Sequence, residues 1–340
     1  MMVRLTRSDL SSPGVRRRRR GRGFEYRAPD GQPLRDPEAL ARIRSLAVPP
    51  AWRKVWICPS PDGHIQAVGY DDAGRRQYLY HSEWRRARDE EKHDRALALG
   101  KHLPEVRARI EADLAGRGFE RRRILATALR MIDVGVFRVG SEEYAERNGS
   151  RGAATLLREH VRIHGDELLF RFPAKGGVDA TVSLHDPALR RVLASLRRCR
   201  SGSDRLLVHR SADGWHEVRA DEINERFKEL AGEEFTVKDL RTWNATVLAA
   251  VAFGTMDVPR SQRAHKRAVA SVMREVAEEL GNTPAVARRS YVDPRVIRAF
   301  GEGTTIARSI RSVGSAGCLD EANRARLERA VIRMIQKIDR

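Results

Sequence analysis

Residues 280–294 read LGNTPAVARRSYVDP and set one tyrosine, Tyr291, behind a Gly-Asn-Thr-Pro turn and a short helical stretch. A phenol with an ordinary pKa near ~10 is a weak nucleophile at neutral pH. It becomes useful where cations favour the phenolate and stabilise the charge it delivers. At a phosphodiester, two guanidiniums can clamp the non-bridging oxygens by paired hydrogen bonds, and the chemistry then requires no metal. The departing alkoxide needs a proton, for which a lysine of lowered pKa is suited. The chain offers Arg138 just past an apolar helix, Lys175 at the tip of a hairpin and Arg241 near the start of a capped helix. Asn282 precedes Tyr291 by nine residues across the turn. Arginine is so frequent that composition does not single out this set. Each member, taken alone, reads more readily as surface or packing.

The elements that must position these residues are written in periodicity and caps. RRRILATALRMIDVGVF puts Ile124, Leu125, Ala128, Leu129 and Ile132 on one helical face, leading to Arg138. Residues 160–164, 168–172 and 178–184 read as three short strands, with Lys175 between the last two. Thr236 with Asp239 three residues on is a capping box for a helix whose apolar face is Leu240, Trp243, Val247, Leu248 and Val251. Residues 266–280 form an amphipathic helix with Val269, Val272, Met273, Val276 and Leu280 inward. Gly281 ends it, and Thr283-Pro284 starts the next. Asp293-Pro294 opens another helix, and residues 323–338 close the chain with Leu327, Val331, Met334, Ile335 and Ile338 inward.

Toward the N-terminus, runs at 55–58, 64–70 and 76–81 are separated by Pro-Asp-Gly and Asp-Asp-Ala-Gly turns, the pattern of a small antiparallel sheet. A short helix near 37–46 precedes it. Residues 83–95 are densely charged and read as a linker helix. Arginines 16–20 repel one another, so residues 1–23 read as a flexible basic arm. The fold class is α+β. A β-rich domain at 24–86 follows the arm, and a mainly helical domain with a short hairpin sheet, carrying the candidate residues named above, occupies 87–340.

The 340 residues carry 65 Lys+Arg against 46 Asp+Glu, a net +19. That surplus points to a polyanionic partner, and its arginine richness suits bidentate phosphate contacts. Cys58, Cys199 and Cys318 are scattered and odd in number, which fits a reducing cytoplasm rather than a disulfide framework or zinc knuckle. No apolar run approaches the ~18 residues of a membrane span, and the basic N-terminus lacks the apolar stretch of a secretory signal. His160 and His164 lack a third ligand, so no metal is expected. AKGG lacks the frame of a phosphate loop, so no nucleotide cofactor is expected either.

Taken together, PPAW, VWICPSPDGHIQAVGYDDAGRRQYLYH, FRVGSEEY, AKGG, KDLRTWNAT and GNTPAVARRSYVDP carry a family resemblance. Over nearly the whole chain beyond the arm, the sequence resembles the type IB DNA topoisomerases of the poxvirus-like and bacterial branch. The resemblance implies a catalytic domain shared with tyrosine recombinases and a monomer that clamps duplex DNA, preferably supercoiled. It implies that Tyr291 attacks the scissile phosphate to give a 3′-phosphotyrosine and a free 5′-hydroxyl. Arg138 and Arg241 would stabilise the pentacoordinate phosphate, Lys175 would protonate the leaving oxygen, and Asn282 would donate a hydrogen bond to a non-bridging oxygen. Gln77, Tyr78, Tyr80, Tyr144 and Lys238 would contact DNA. Two departures stand out. Many relatives have histidine where this chain has Asn282, which can donate a hydrogen bond but carries no charge. Glu142 and Glu143 follow Arg138 where poxvirus relatives are lysine-rich, which should weaken local DNA contacts. Two other readings remain open. A tyrosine recombinase would use the same nucleophile, although Lys238-Asp239-Leu240-Arg241 stands where recombinases usually carry His-x-x-Arg. A basic architectural protein would bind DNA without chemistry.

Overall fold

The computed structural model describes residues 4–175, 177–259, 261–313 and 321–339. Cys318 and Gly176 of the AKGG motif lie outside them. The chain divides into two compact units, Met1–Glu91 and Lys92–Arg340.

The first unit is one antiparallel sheet of β1 (Val15–Arg20), β2 (Gly23–Arg27), β3 (Arg53–Ile57), β4 (Ile65–Tyr70) and β5 (Arg76–Tyr80), in the order β2-β1-β3-β4-β5. Helix α1 (Pro37–Ser45) starts where the Asp36 carboxylate accepts from Glu38 N, with Pro37 in the first turn. Its Ile43 is buried with Val15, Val55, Ile57 and Ala67 on one face of the sheet. The opposite face buries Trp56, Cys58, Ile65 and Val68, with Leu10 packed over them.

The expected arm is not free. Thr6 N donates to Asp62 O and His64 N to Thr6 O, both at 2.9 Å, and Trp56 Nε1 donates to Ser12 O at 3.1 Å. Arginines 16–20 then make most of β1. A strand alternates its side chains between two faces, so five arginines need not crowd together. Val15 goes to the α1 side, and Arg17 follows it two residues on. The Arg17 guanidinium donates to the carbonyls of Val48, Pro49 and Trp52 at 2.9, 2.9 and 2.7 Å, and lies 4.2 Å from the Phe24 ring centroid. Arg16, Arg18 and Arg20 point the other way and are exposed.

The charged stretch at 83–95 is helical, but it belongs to a longer element, α2 (Ser82–Leu114), within which the division between units falls. From Ala96 onward α2 joins the core of the second unit through Leu97, Leu99, Leu103, Val106 and Ile110.

The second unit continues with α3 (Arg121–Gly135), α4 (Glu142–Asn148), the sheet β6 (Val161–His164), β7 (Glu167–Pro173) and β8 (Asp179–His185), and α5 (Pro187–Arg198). A hairpin follows, β9 (Val208–Ser211) and β10 (Gly214–Glu217). Then come α6 (Ala220–Ala231), α7 (Val237–Gly254), α8 (Gln262–Glu279), α9 (Pro284–Ser290), α10 (Pro294–Gly301) and α11 (Ala307–Val313). Past them lies α12 (Glu321–Ile338). Helix α7 runs through the centre. Its Trp243 is fully buried against Gly100 of α2, where a Cβ would come within 2.6 Å of the indole. It is buried on nearly every side, including Asp239, Arg241, Thr242, Asn244 and Thr246. Val247, Leu248 and Val251, expected inward, are only half-buried.

One of these polar residues, Asn244, joins a buried ionic network. Arg107 of α2 meets Asp133 of α3 at 2.8 Å and Glu328 of α12 at 2.7 Å. Arg324 of α12 meets Asp133 at 2.7 Å, and Asn244 Nδ2 donates to Asp133 O at 3.0 Å. Burial would raise the Asp133 pKa, but the charges of Arg324 and Arg107 outweigh it and hold the carboxyl well below the usual carboxylate range.

Candidate active site

Three chain segments bring the expected residues together. The first is the exit from α3. Val136 follows the helix in the left-handed region, with φ 51°, where a β-branched side chain is strained. Phe137 is then buried against Phe170 and Phe172. The carbonyls of Arg138 and Val139 each accept a 2.8 Å hydrogen bond, from Ala153 N and Ala154 N. Gly152 allows this approach, because a Cβ there would meet Gly140 N at 2.5 Å and Arg138 O at 2.7 Å. The backbone beneath Arg138 is therefore fixed. Its guanidinium donates to Asn282 Oδ1 at 2.5 Å and more distantly to Gly281 O at 3.4 Å.

The second segment is the start of α7. The capping box forms as expected, with Thr236 Oγ1 donating to Asp239 Oδ2 at 2.7 Å. Arg95 adds a forked contact to Asp239 Oδ1 at 3.0 and 2.9 Å. Arg241, 6% exposed, donates from its two ends to the carbonyls of Val136 and Leu280. It thus bridges the ends of α3 and α8. Its Nε is buried without a hydrogen-bond partner among the described residues.

The third is the turn after α8. Gly281 has φ 56°, and Asn282 N donates to Ala277 O at 2.8 Å. Thr283 caps α9 by accepting from Val286 N. Tyr291 follows α9 and is 9% exposed. Its ring centroid lies 5.4 Å from Arg241 Cζ. Thr246 of α7 pins the backbone around it, donating to Tyr291 O at 3.3 Å and accepting from Asp293 N at 3.2 Å.

The electrostatics follow from this packing. Burial favours the neutral phenol, but the charges of Arg241 and Arg138, with their hydrogen bonding, prevail and lower the Tyr291 pKa. Burial, and then the neighbouring Arg138 charge, bring Arg241 down to about 10, so it stays cationic at neutral pH. Asn282 Nδ2 is a second buried donor without a partner among the described residues.

Lys175 does not join this cluster. It is exposed in the β7–β8 turn, with Nζ 5.8 Å from the Tyr144 ring centroid and no hydrogen bond or ion pair among the described residues. Tyr144 on α4 is itself exposed. The acidic pair beside it is engaged within the unit, Glu142 with Arg205 and Glu143 with Arg147. Lys238 is exposed in the first turn of α7. In the first unit, Tyr78 and Tyr80 stack with centroids 6.0 Å apart, and Arg76 lies 5.4 Å over Tyr78. Gln77 points to the other side of β5, and its amide donates to Asp71 Oδ2 at 2.9 Å.

Sequence reasoning missed Thr246, Asn244, Arg95 and the strained Val136. Polar residues beside Trp243 in an otherwise apolar helix were the available signal for the first two. For a left-handed valine or a partner 144 residues away there was none.

Comparison with known proteins gives the family. Residues 81–304 match the family described as eukaryotic DNA topoisomerase I, catalytic core, and residues 23–71 match bacterial DNA topoisomerase IB, N-terminal domain. DNA topoisomerase 1B of Acanthamoeba polyphaga mimivirus is 28% identical over 287 residues, 82% of this chain and 85% of that protein. DNA topoisomerase 1B of Vaccinia virus (strain Copenhagen) is 25% identical over 236 residues, 68% of this chain and 70% of that protein. DNA topoisomerase 1 beta of Arabidopsis thaliana is 26% identical over 161 residues, 47% of this chain and 16% of that protein. With a catalytic-core match across most of its length and a bacterial N-terminal match ahead of it, the chain belongs to the type IB DNA topoisomerases, on their bacterial and poxvirus-like branch.

Proposed function

We propose that this topoisomerase relaxes supercoiled duplex DNA by reversible transesterification, with Tyr291 as nucleophile. The phenolate oxygen attacks phosphorus, the bond from phosphorus to the 5′-oxygen breaks, and the 5′-oxygen takes up a proton. The product is a 3′-phosphotyrosine and a free 5′-hydroxyl. After the broken strand swivels, the hydroxyl attacks phosphorus and the phenolate leaves. No bond energy is lost, so no nucleotide is consumed.

One observation supports this reading above the others: Arg241 Nε, beside the tyrosine, and Asn282 Nδ2 are buried donors without partners among the described residues. Orphaned buried donors are costly, and an anion would satisfy them. A phosphate oxygen meeting these two donors and the Arg138 guanidinium would have its developing charge neutralised. Arg138 must then give up Asn282 Oδ1, which frees both for substrate. Lys175 is the general acid, delivered when its turn moves onto bound DNA. Tyr78, Tyr80, Tyr144 and Lys238 contact the duplex. Gln77 reads a base edge once it is released from Asp71. The enzyme acts as a monomer on the DNA of the cytoplasm.

Supercoiled plasmid, EDTA and no ATP make the test. The parent should relax the plasmid and, on denaturation, carry DNA covalently at a 3′ end. Tyr291→Phe should bind but do neither. Relaxation by Tyr291→Phe would remove the tyrosine from the reaction. Joining of two DNA sites would instead mark a recombinase, and binding without any adduct an architectural protein.

A further inference from the structure

The arginines of β1 have no part in the site above, yet their register gives them a use. Cross-strand partners project to the same side of a sheet. Arg16 pairs with Trp56, Trp56 with Val68, and Val68 with Tyr78. Arg16, and by alternation Arg18 and Arg20, therefore share a face with Tyr78 and Tyr80. Residues 6–14 cover this face only at the end where Trp56, Cys58 and Ile65 are buried. Arg18 and Arg20 lie toward its other end, with side chains 69% and 82% exposed.

Glu25 is the carboxylate paired with them on this face, and it is shared. It lies 4.0 Å from Arg18, 3.8 Å from Arg20 and 3.6 Å from Arg27. Such long, exposed pairs contribute little, so the guanidiniums remain free for a stronger anion. Three strand spacings of ~4.8 Å separate β1 from β5, about 14 Å in all. The major groove of B-DNA is ~12 Å wide. If Tyr78 meets one wall of that groove, Arg16, level with it across the sheet, stands at the other, and Arg18 and Arg20 continue that row along β1 in the direction away from Tyr80.

We propose that Arg16, Arg18 and Arg20 form a phosphate-binding rail that grips the duplex across the major groove from Tyr78 and Tyr80. The rail rests on the reading of those tyrosines as DNA contacts. It is a property of residues outside the matched N-terminal region, which begins at residue 23. Arg17, on the same strand, plays the opposite part. It is held by three carbonyls and serves the fold.

The test is equilibrium binding of linear duplex by Tyr291→Phe protein across a salt series. Each phosphate contact contributes ~0.9 to the slope of log K against log salt, so replacing Arg16, Arg18 and Arg20 by Gln should flatten it by about 2.7. Arg17→Ala should lower the melting temperature and leave the slope unchanged. Glu25→Gln should act in reverse, raising affinity by removing a negative charge that stands beside the rail and would face the phosphates. If the triple variant failed to fold, Glu25→Gln would decide: unchanged affinity overturns the rail. A parental slope in a folded triple variant also overturns it, and an equal loss on single-stranded DNA overturns its placement across the groove. Tyr78→Ala with Tyr80→Ala, measured alongside, tests the underlying reading separately. Loss in the tyrosine variant without loss in the arginine variant sinks the rail alone, and parental affinity in the tyrosine variant sinks the reading beneath it.

Discussion

Thr246→Val tests whether the backbone of the nucleophile is held by a single hydroxyl. Valine keeps the shape and removes Oγ1. The hydroxyl's single proton is shared between Thr242 O at 2.9 Å and, more distantly, Tyr291 O at 3.3 Å, and its oxygen accepts from Asp293 N at 3.2 Å. Thr242 O is an ordinary helix carbonyl and loses little. Asp293 N is buried and becomes an unsatisfied donor, which costs ~1–3 kcal/mol. The Tyr291 contact is long and worth less. A stability loss of about 2 kcal/mol is expected, read as a lower denaturant midpoint with an unchanged m value. The chain can recover part of that by shifting residues 291–293 toward water. This shift displaces the phenol from Arg241 and Arg138. If ~1.4 kcal/mol of transition-state stabilisation goes with it, cleavage slows about tenfold. Single-turnover cleavage of a duplex whose 5′ product fragment dissociates isolates this step. Duplex affinity should be parental, and Thr246→Ser should restore the rate because it restores the hydroxyl. Cleavage by Thr246→Val at the parental rate, or equal slowing in the serine variant, would refute the reasoning.

Arg138→Ala removes one of the two cations that lower the Tyr291 pKa, so the phenol should titrate at higher pH. The cleavage rate–pH profile should move to the alkaline side, and an unmoved profile would contradict that role. Lys175→Ala should slow cleavage by ~100-fold or more, the scale of a lost general acid. A substrate with a 5′-thiolate leaving group should recover the rate, and failure to recover it would exclude Lys175 as the acid. Asp133→Ala strips the buried Arg107 and Arg324 of a shared carboxylate and should destabilise by ~3–5 kcal/mol, seen as a large fall in melting temperature. The folded Asp133 pKa is depressed, so its stabilisation is complete above the ordinary carboxylate pKa and disappears as pH falls through the folded value. The parent should therefore lose stability in acid more steeply than the variant does.

Much of the second unit was legible because its signals are local. Thr236 with Asp239, Gly281, Thr283-Pro284 and Asp293-Pro294 each define a helix end within a few residues, and each is observed. The three runs around Lys175 became β6, β7 and β8 for the same reason. Arg138, Arg241, Asn282 and Tyr291 converge as the family resemblance implied, though nothing local could have selected those arginines. The misses are long-range. Arginines 16–20 look like a tail until the carbonyls of Val48, Pro49 and Trp52 are counted as partners for Arg17, and those lie 31–35 residues away. Charge density predicted repulsion, whereas strand alternation and a cage of carbonyls removed it. The β9–β10 hairpin has only four residues in each strand and was not read, whereas α5, twelve residues behind an Asp186-Pro187 cap, carried the same kind of local signal as the helices that were read. Gln77 illustrates the limit for binding residues. Its identity suits a base edge, but which side of β5 it faces depends on a register fixed by β4.

The tie between Arg107 and Glu328 spans 221 residues of chain. During synthesis α2, α3 and α7 all leave the ribosome before α12 does. Until α12 docks, Arg107 lacks one carboxylate and Asp133 lacks the cation of Arg324, beneath the helix that leads to Arg138. The chain thus emerges through Arg138 and Tyr291 before α12 completes the buried ionic floor beneath α3.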